Sequence, residues 1–181
     1  MRVRVYQILL FVLGMAVLSS CSAIKRSGST NQRAETAILA DKRVEKEIES
    51  HLHGDVKRLI EEAFEWVGTP YGYGKETKGV AADCSGFVMV VFDTTIGCKL
   101  PRISYKQAEF CRKIGERDVK PGDLVFFATG KDPKQISHVG IMVDKTQFLH
   151  ASSSKGVCLS SLESGYYKTH FIMYGRTPCF E

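Results

Sequence analysis

No apolar run in this 181-residue sequence approaches the roughly 20 residues that a membrane-spanning helix needs. The stretch "ILLFVLGMAVL", at 8 to 18, stops at 11 residues. A clustered basic face is also missing, and with it the mark of a nucleic-acid binder. The 25 Lys and Arg exceed the 20 Asp and Glu by only five, and the excess falls to +3 if Arg2 and Arg4 are removed with a leader. So mild a balance fits work near an anionic polymer or a membrane surface. None of the six cysteines stands in a C-x-x-C zinc pattern. What the chain does have is apolar content: 44% hydrophobic residues with 10 Phe, enough for one compact domain with appendages.

The N-terminus reads as a secretory signal: "MRVR" is a positive start, the run at 8 to 18 is its apolar centre, and "SSC" supplies small residues. "LSSC" at 18 to 21 resembles the lipobox of bacterial lipoproteins. That resemblance implies a signal peptide of residues 1–20, cleavage before Cys21, a diacylglyceryl thioether on its sulfur and an acylated amine. Several acyl chains make anchoring effectively permanent, where one gives marginal binding. The alternative is a plain signal cut near Ser20, with Cys21 incidental. Ser22 is not acidic, which favours the outer membrane, facing the periplasm, over inner-membrane retention. Residues 21–54 read as the lipidated cysteine and a polar tether. A short helix is expected over 36–50 from Ile38, Leu39, Val44 and Ile48, and His51 and His53 are expected to be exposed and idle.

A folded domain is expected over residues 55–181. In "DVKRLIEEAFEWVGTPYG" the apolar residues Val56, Leu59, Ile60, Ala63, Phe64 and Val67 recur at helical spacing, with Asp55 as N-cap and Gly68 and Pro70 as the stop. A second helix runs from Cys84 to about Thr95, apolar nearly all round and therefore buried. "SYKQAEFCRKIG" predicts a third, opened by a capping box of Ser104 and Gln107. After "KPGD" the period changes: "DLVFFA", "SHVGIMV", "QFLHAS", "GVCLSS" and "HFIMYGR" are short strands separated by turn residues. Helices followed by a meander of strands make an α+β domain with an antiparallel sheet.

Most cysteines are small core residues, but the place of Cys84 in this order suggests chemistry. With Asp83 as N-cap it lies in the first turn of the buried helix, where free N–H groups and the dipole favour a thiolate. The same N–H groups can receive an oxyanion. A base must come from elsewhere in the chain. The two apolar runs flanking "DKT" form a hairpin, and if it is symmetric about Asp144, His138 and His150 face each other across the ladder on one side of the sheet. One ring can then hold the other in a defined tautomer. Val139, Ile141, Val143 and Leu149 point the opposite way, into the core.

"DCSGFV" at 83–88, "LPRISYKQ" at 100–107, "KPGDLVFF" at 120–127, "SHVGIMV" at 137–143 and "FLHASSSKGV" at 148–157 resemble, in order, the blocks of the NlpC family of bacterial cell-wall cysteine peptidases. The resemblance implies a papain-like fold and hydrolysis of peptidoglycan stem peptides, commonly between γ-D-glutamyl and diaminopimelic acid, by a monomer without cofactor or metal. By position Cys84 is the nucleophile, His138 the general base and then acid, and His150 the residue that orients His138. Tyr71 matches the family's tyrosine beside the nucleophile, and Asp83 and Ser85 match positions that touch substrate in some members. Here "GYGKETKGVAAD" stands where familiar members often carry Gly-Gly after that tyrosine.

Each of these residues has a plainer reading. Asp83 can be an N-cap alone, Ser85 a partner of the first turn, and Tyr71 packing. Arg102 can bind a stem-peptide carboxylate bidentately or form a structural ion pair. The loop "GKDPKQ" can be a rim of the groove or a solvated turn. Cys98, Cys111, Cys158 and Cys179 allow three pairings, and at most one bridge is expected. Two other functions stay open: a zinc protein using Cys84, His138 and His150, and a lipoprotein that grips peptidoglycan without cutting it.

Overall fold

A computed structural model describes residues 52–180, together with Lys42 and Lys46, both helical. The expected signal peptide, Cys21, the tether up to residue 51 and most of the helix expected over 36–50 lie outside the described residues.

The first helix, α1, spans Gly54–Glu65 and buries Leu59, Ile60, Ala63 and Phe64, the stripe its apolar spacing called for. Its N-cap position is His53 rather than Asp55. Asp55 falls instead inside the first turn, where its charge suits the positive dipole end, and it pairs with Arg58 at 2.7 Å. A two-stranded ribbon follows, β1 (Glu76–Thr77) with β2 (Ala81–Ala82). Helix α2, Cys84–Ile96, is capped by Asp83 at one end and stopped by Gly97 in the left-handed conformation at the other.

The expected capping box does not form at the third helix. Helix α3 covers only Ser104–Phe110, with Ile103 at the N-cap and no side-chain cap bond. Gln107 is turned inward instead: its Nε2 donates to the carbonyls of Ser85 and Pro101 at 3.0 and 2.8 Å. That ties the start of α2 to the "LPR" segment, so a tertiary bond has displaced the local one. The rest of the stretch expected to be helical becomes β3, Arg112–Ile114, an edge strand.

The remaining strands are β4 (Leu124–Phe127), β5 (His138–Met142), β6 (Gln147–Ser152), β7 (Gly156–Ser161) and β8 (Phe171–Arg176). The sheet order is β3-β8-β4-β5-β6-β7, antiparallel at every pairing. A short helix not anticipated from the sequence, α4 (Gly165–His170), leads into β8. One face of the sheet packs on α1 and α2 through Val139, Ile141 and Leu149 against Leu59, Phe87, Val91 and Phe92. The other carries Val125, Phe127, Met142 and Phe148, with Tyr167 and Phe171 over them. Cys98, just after α2, is bonded to Cys179 near the end of the chain, 81 residues on.

The β5–β6 register differs from the expected one. Ile141 pairs with Leu149 and Met142 with Phe148, which centres the hairpin on Lys145. Asp144 shapes the turn, its carboxylate accepting from the amides of Thr146 and Gln147 at 2.6 and 2.7 Å. His138 and His150 keep the same face but are diagonal neighbours, not directly opposed. The place across from His150 belongs to Gly140, where a Cβ would lie 3.3 Å from that of His150 and 2.6 Å from the Phe148 ring.

Candidate active site

Cys84 opens α2 and is only 8% exposed. Its mount is rigid. Asp83 Oδ1 accepts from the Gly86 amide at 2.8 Å, and Oδ2 from the Gly74 amide, also at 2.8 Å. Gly86 must be glycine, because a Cβ there would sit 2.5 Å from the Lys75 carbonyl oxygen. These bonds clamp the "GYGK" loop onto the first turn of α2.

The expected resting thiolate is not what this environment favours. Burial, and then the Asp83 carboxylate beside it, push the Cys84 thiol up from 9.0 to about 11. The amides of Val139, Ser85 and Cys84 itself pull the other way but lose to desolvation. The Cys84 thiol donates instead to the Ser137 carbonyl, with Sγ 4.0 Å from the oxygen. Ser137 immediately precedes His138, so the acceptor of the Cys84 thiol and the expected base are consecutive on one strand end.

His138 Nε2 and His150 Nδ1 are 2.8 Å apart, with the rings edge to face. Burial lowers the His138 pKa from 6.5 to about 4. His150 is fully buried and goes lower, to about 2, through burial first and then the charges of His138 and Lys155. At neutral pH this leaves a neutral thiol and a neutral imidazole on one cleft, with a second neutral imidazole bonded to the first. A diagonal pair on one face still brings long side chains together, which is why the register error left the contact intact.

Beyond His150 lie groups that the sequence reading did not single out. Its Nε2 meets Ser160 Oγ at 2.9 Å, Tyr167 Oη at 3.1 Å and Cys158 Sγ at 3.7 Å. Alternation along "GVCLSS" could have placed Cys158 and Ser160 on the His150 face of the sheet. Nothing local in "SGYYKTH" announces Tyr167, which arrives on α4.

A cleft of about 380 Å³ runs past these residues, lined by Tyr71, Cys84, His138, Ser160, Tyr166 and Tyr167 and by the 152–155 loop. Among the described residues no carboxylate lines it, and Lys155 is its one cation. Tyr71 lies near enough to Cys84 that the two charges would oppose each other, and burial with that repulsion raises its pKa. Of the "GKDPKQ" loop only the neighbouring Thr129 reaches the cleft wall; residues 130–135 are exposed.

Asp83, Ser85 and Arg102 are brought together, but with one another and away from the lining of that cleft. Arg102 grips both oxygens of Asp83, at 2.8 and 2.7 Å, and reaches Ser85 Oγ at 3.1 Å and Glu76 at 2.9 Å. The Asp83 carboxyl is held below its usual range by that guanidinium and the two amides, although burial alone would raise it. Both its oxygens are committed and Arg102 is fully paired. These bonds give the three a supporting place under the nucleophile. The zinc arrangement finds no support here: among the described residues no group of three or more His, Cys, Asp and Glu is placed to hold a metal ion. His138 and His150 spend their facing nitrogens on each other.

Comparison with known proteins follows the same outline. A "Probable endopeptidase NlpC" of Escherichia coli K12 is 45% identical over 106 residues, which is 59% of this chain and 68% of that protein. The "Murein DD-endopeptidase MepS/Murein LD-carboxypeptidase" of the same organism is 35% identical over 162 residues, covering 86% of this chain and 83% of the relative. A crystal structure from Staphylococcus aureus described as similar to lipoprotein, NLP/P60 family, superposes with a TM-score of 0.62 at 31% identity, over 68% of this chain and 41% of that one. With residues 68–176 matching the family as a whole, from just past α1 to the last residue of β8, the chain belongs to the NlpC/P60 family.

Proposed function

We propose that this chain is a cysteine endopeptidase that hydrolyses peptidoglycan stem peptides in cell-wall remodelling, with Cys84 as nucleophile, His138 as base and His150 as its orienting partner. The observation that carries this reading is the meeting of these groups on one cleft: Cys84 Sγ against the Ser137 carbonyl, His138 next in the chain, and His138 joined to His150 at 2.8 Å. The names of the relatives, a murein endopeptidase among them, support the substrate class.

Because thiol and imidazole are both neutral at rest, proton transfer accompanies attack. As Cys84 Sγ bonds to the scissile carbonyl carbon, its proton passes to His138 Nδ1, and the imidazolium so formed keeps its Nε2–H on His150. The oxyanion collects on backbone N–H groups at the start of α2. Collapse expels the amine, which takes the proton from His138 and leaves a thioester. Water then adds to the thioester, giving its proton to His138, which returns it to the departing Cys84 sulfur. A neutral histidine stabilises the passing cation less than a carboxylate would, so the contribution of His150 is chiefly geometric.

The bond favoured is γ-D-glutamyl-diaminopimelate; another peptidoglycan amide is the alternative within the same chemistry. The molecule is read as a monomer, lipidated on Cys21 and held at the outer membrane facing the periplasm, with residues 1–20 as signal, 21–54 as lipidated tether and 55–181 as catalytic domain. No cofactor enters the mechanism. Digestion of purified sacculi with the 22–181 protein, followed by mass spectrometry of the new termini, tests the reading. New termini at one stem-peptide amide, absent with Cys84→Ala, are expected; unchanged sacculi would reject it in favour of a binding protein.

A further inference from the structure

We propose that Ser160 and Tyr167 are positioning residues that select the tautomer of His150 and, through it, the tautomer of His138. The inference rests on the roles assigned above to Cys84 and His138. Two neutral imidazoles share one hydrogen across the 2.8 Å contact between His138 Nε2 and His150 Nδ1. If that hydrogen sits on His138, its Nδ1 keeps a lone pair and can accept the Cys84 proton. If it sits on His150, His138 carries its hydrogen on Nδ1 and cannot act as a base toward the thiol. The productive arrangement therefore requires His150 to be protonated on Nε2.

An Nε2–H on His150 has no water to turn to, since the residue is 0% exposed. A buried donor left unpaired carries its full desolvation penalty. Two oxygens converge on that nitrogen from separate elements: Ser160 Oγ from β7 at 2.9 Å and Tyr167 Oη from α4 at 3.1 Å. One N–H can be shared between two acceptors, whereas one lone pair accepts a single hydrogen. Two oxygens at nearly equal distance fit the Nε2–H form. Cys158 Sγ, at 3.7 Å, is farther and a weaker acceptor. The lock runs from the hydroxyl pair through His150 to His138 Nδ1, on a part of the cleft wall that touches no reacting atom.

Long-range 1H–15N correlation spectra of the full-length, 15N-histidine-labelled chain read each ring's tautomer directly. Both His138 and His150 are expected to be protonated on Nε2 in the wild type. In the Ser160→Ala/Tyr167→Phe double variant, a fraction of both rings should pass to the Nδ1–H form. The value of kcat should fall at least about tenfold, part of the roughly 10²–10⁴ that a positioned base supplies, with KM changed less than about twofold. Ser160→Thr, which restores a hydroxyl, should recover kcat. A wild-type His150 protonated on Nδ1 would overturn the proposal, even if the double variant fails to fold. So would a folded double variant that keeps both Nε2–H rings and wild-type kcat. A wild type with both rings in the Nε2–H form but no hydrolysis of muropeptides counts against the assigned reaction while supporting the lock.

Discussion

Cys84 should react with iodoacetamide like a hindered neutral thiol and not like one half of a preformed ion pair. Its pKa is raised from 9.0 to about 11 by burial and by Asp83, while burial lowers His138 to about 4. Below pH 9 a shift of two units cuts the thiolate fraction about 100-fold. Intrinsic nucleophilicity rises with pKa along a slope of about 0.4 to 0.5, which returns roughly eightfold. The net expectation is alkylation about tenfold slower than an ordinary thiol at the same pH, before any hindrance by the cleft. The shape of the profile is more telling than the rate. Because only the thiolate reacts, log rate should climb by one per pH unit from about 6 to about 10 with no plateau. The assay follows loss of the Cys84 thiol by mass spectrometry, with peptide mapping to separate it from Cys111 and Cys158. In denaturant the same cysteine should titrate at an ordinary value. A rate that levels off between pH 5 and 8 would show a thiolate–imidazolium pair at rest and refute the reasoning.

Four further outcomes are expected. Muropeptide cleavage should vanish in Cys84→Ala and in His138→Ala with the fold retained, while His150→Asn, which still offers an acceptor, should keep substantially more kcat than His150→Ala; equal loss in both variants at 150 would remove the orienting role. Stability should be full above pH 6.5 and fall as pH drops, because His138 and His150 have depressed folded-state values of about 4 and about 2, so the unfolded chain binds the extra protons. Urea midpoints between about pH 6 and 4 should decline by an amount equivalent to about 2 to 3 kcal/mol per pH unit, and His150→Asn should roughly halve that slope. Cys98→Ser should lower stability by about 4.5 kcal/mol in the chain-entropy account of an 81-residue loop, read from urea melts, with no added loss on dithiothreitol. Cys21→Ala should move the protein out of the membrane fraction, and continued sedimentation with membranes would reject the anchor.

Much of this was legible in the chain because local chemistry and global fold agree. The stripe from Leu59 to Phe64 is buried where its period said, and Asp83 caps α2 as a short polar side chain before an apolar helix does. The α+β order and five of the sheet's six strands followed from the change of period after "KPGD". His138 and His150 met despite a misplaced hairpin centre, since moving the centre from residue 144 to residue 145 shifts each cross-strand partner by two and leaves every side chain on its face. The misses were tertiary. Gln107 left a capping box for the carbonyls of Ser85 and Pro101, and Arg112–Ile114 became a strand because β8 offered an edge to pair with. Tyr167 is invisible from "SGYYKTH", since its meaning depends on a histidine 17 residues earlier. The thiol's raised pKa was also hidden: the helix start is readable, but the depth of its burial is not.

The last of the described strands does not lie at the rim of the sheet. β8 sits between β3 and β4, pairing with both. As the chain emerges from the ribosome N-terminus first, the β4-to-β7 meander can assemble by successive hairpins, but β3 has no partner until Phe171–Arg176 appear. Until then β4 presents an open edge of the kind that recruits stray strands. Slow folding is the ordinary cost of contacts so distant along the chain. The Cys98–Cys179 bond closes across this same gap, so it can form only after residue 179 has emerged. A chain cut short before β8 would lose the middle of its sheet rather than its margin, and should be cleared by proteases rather than persist as a weakened enzyme.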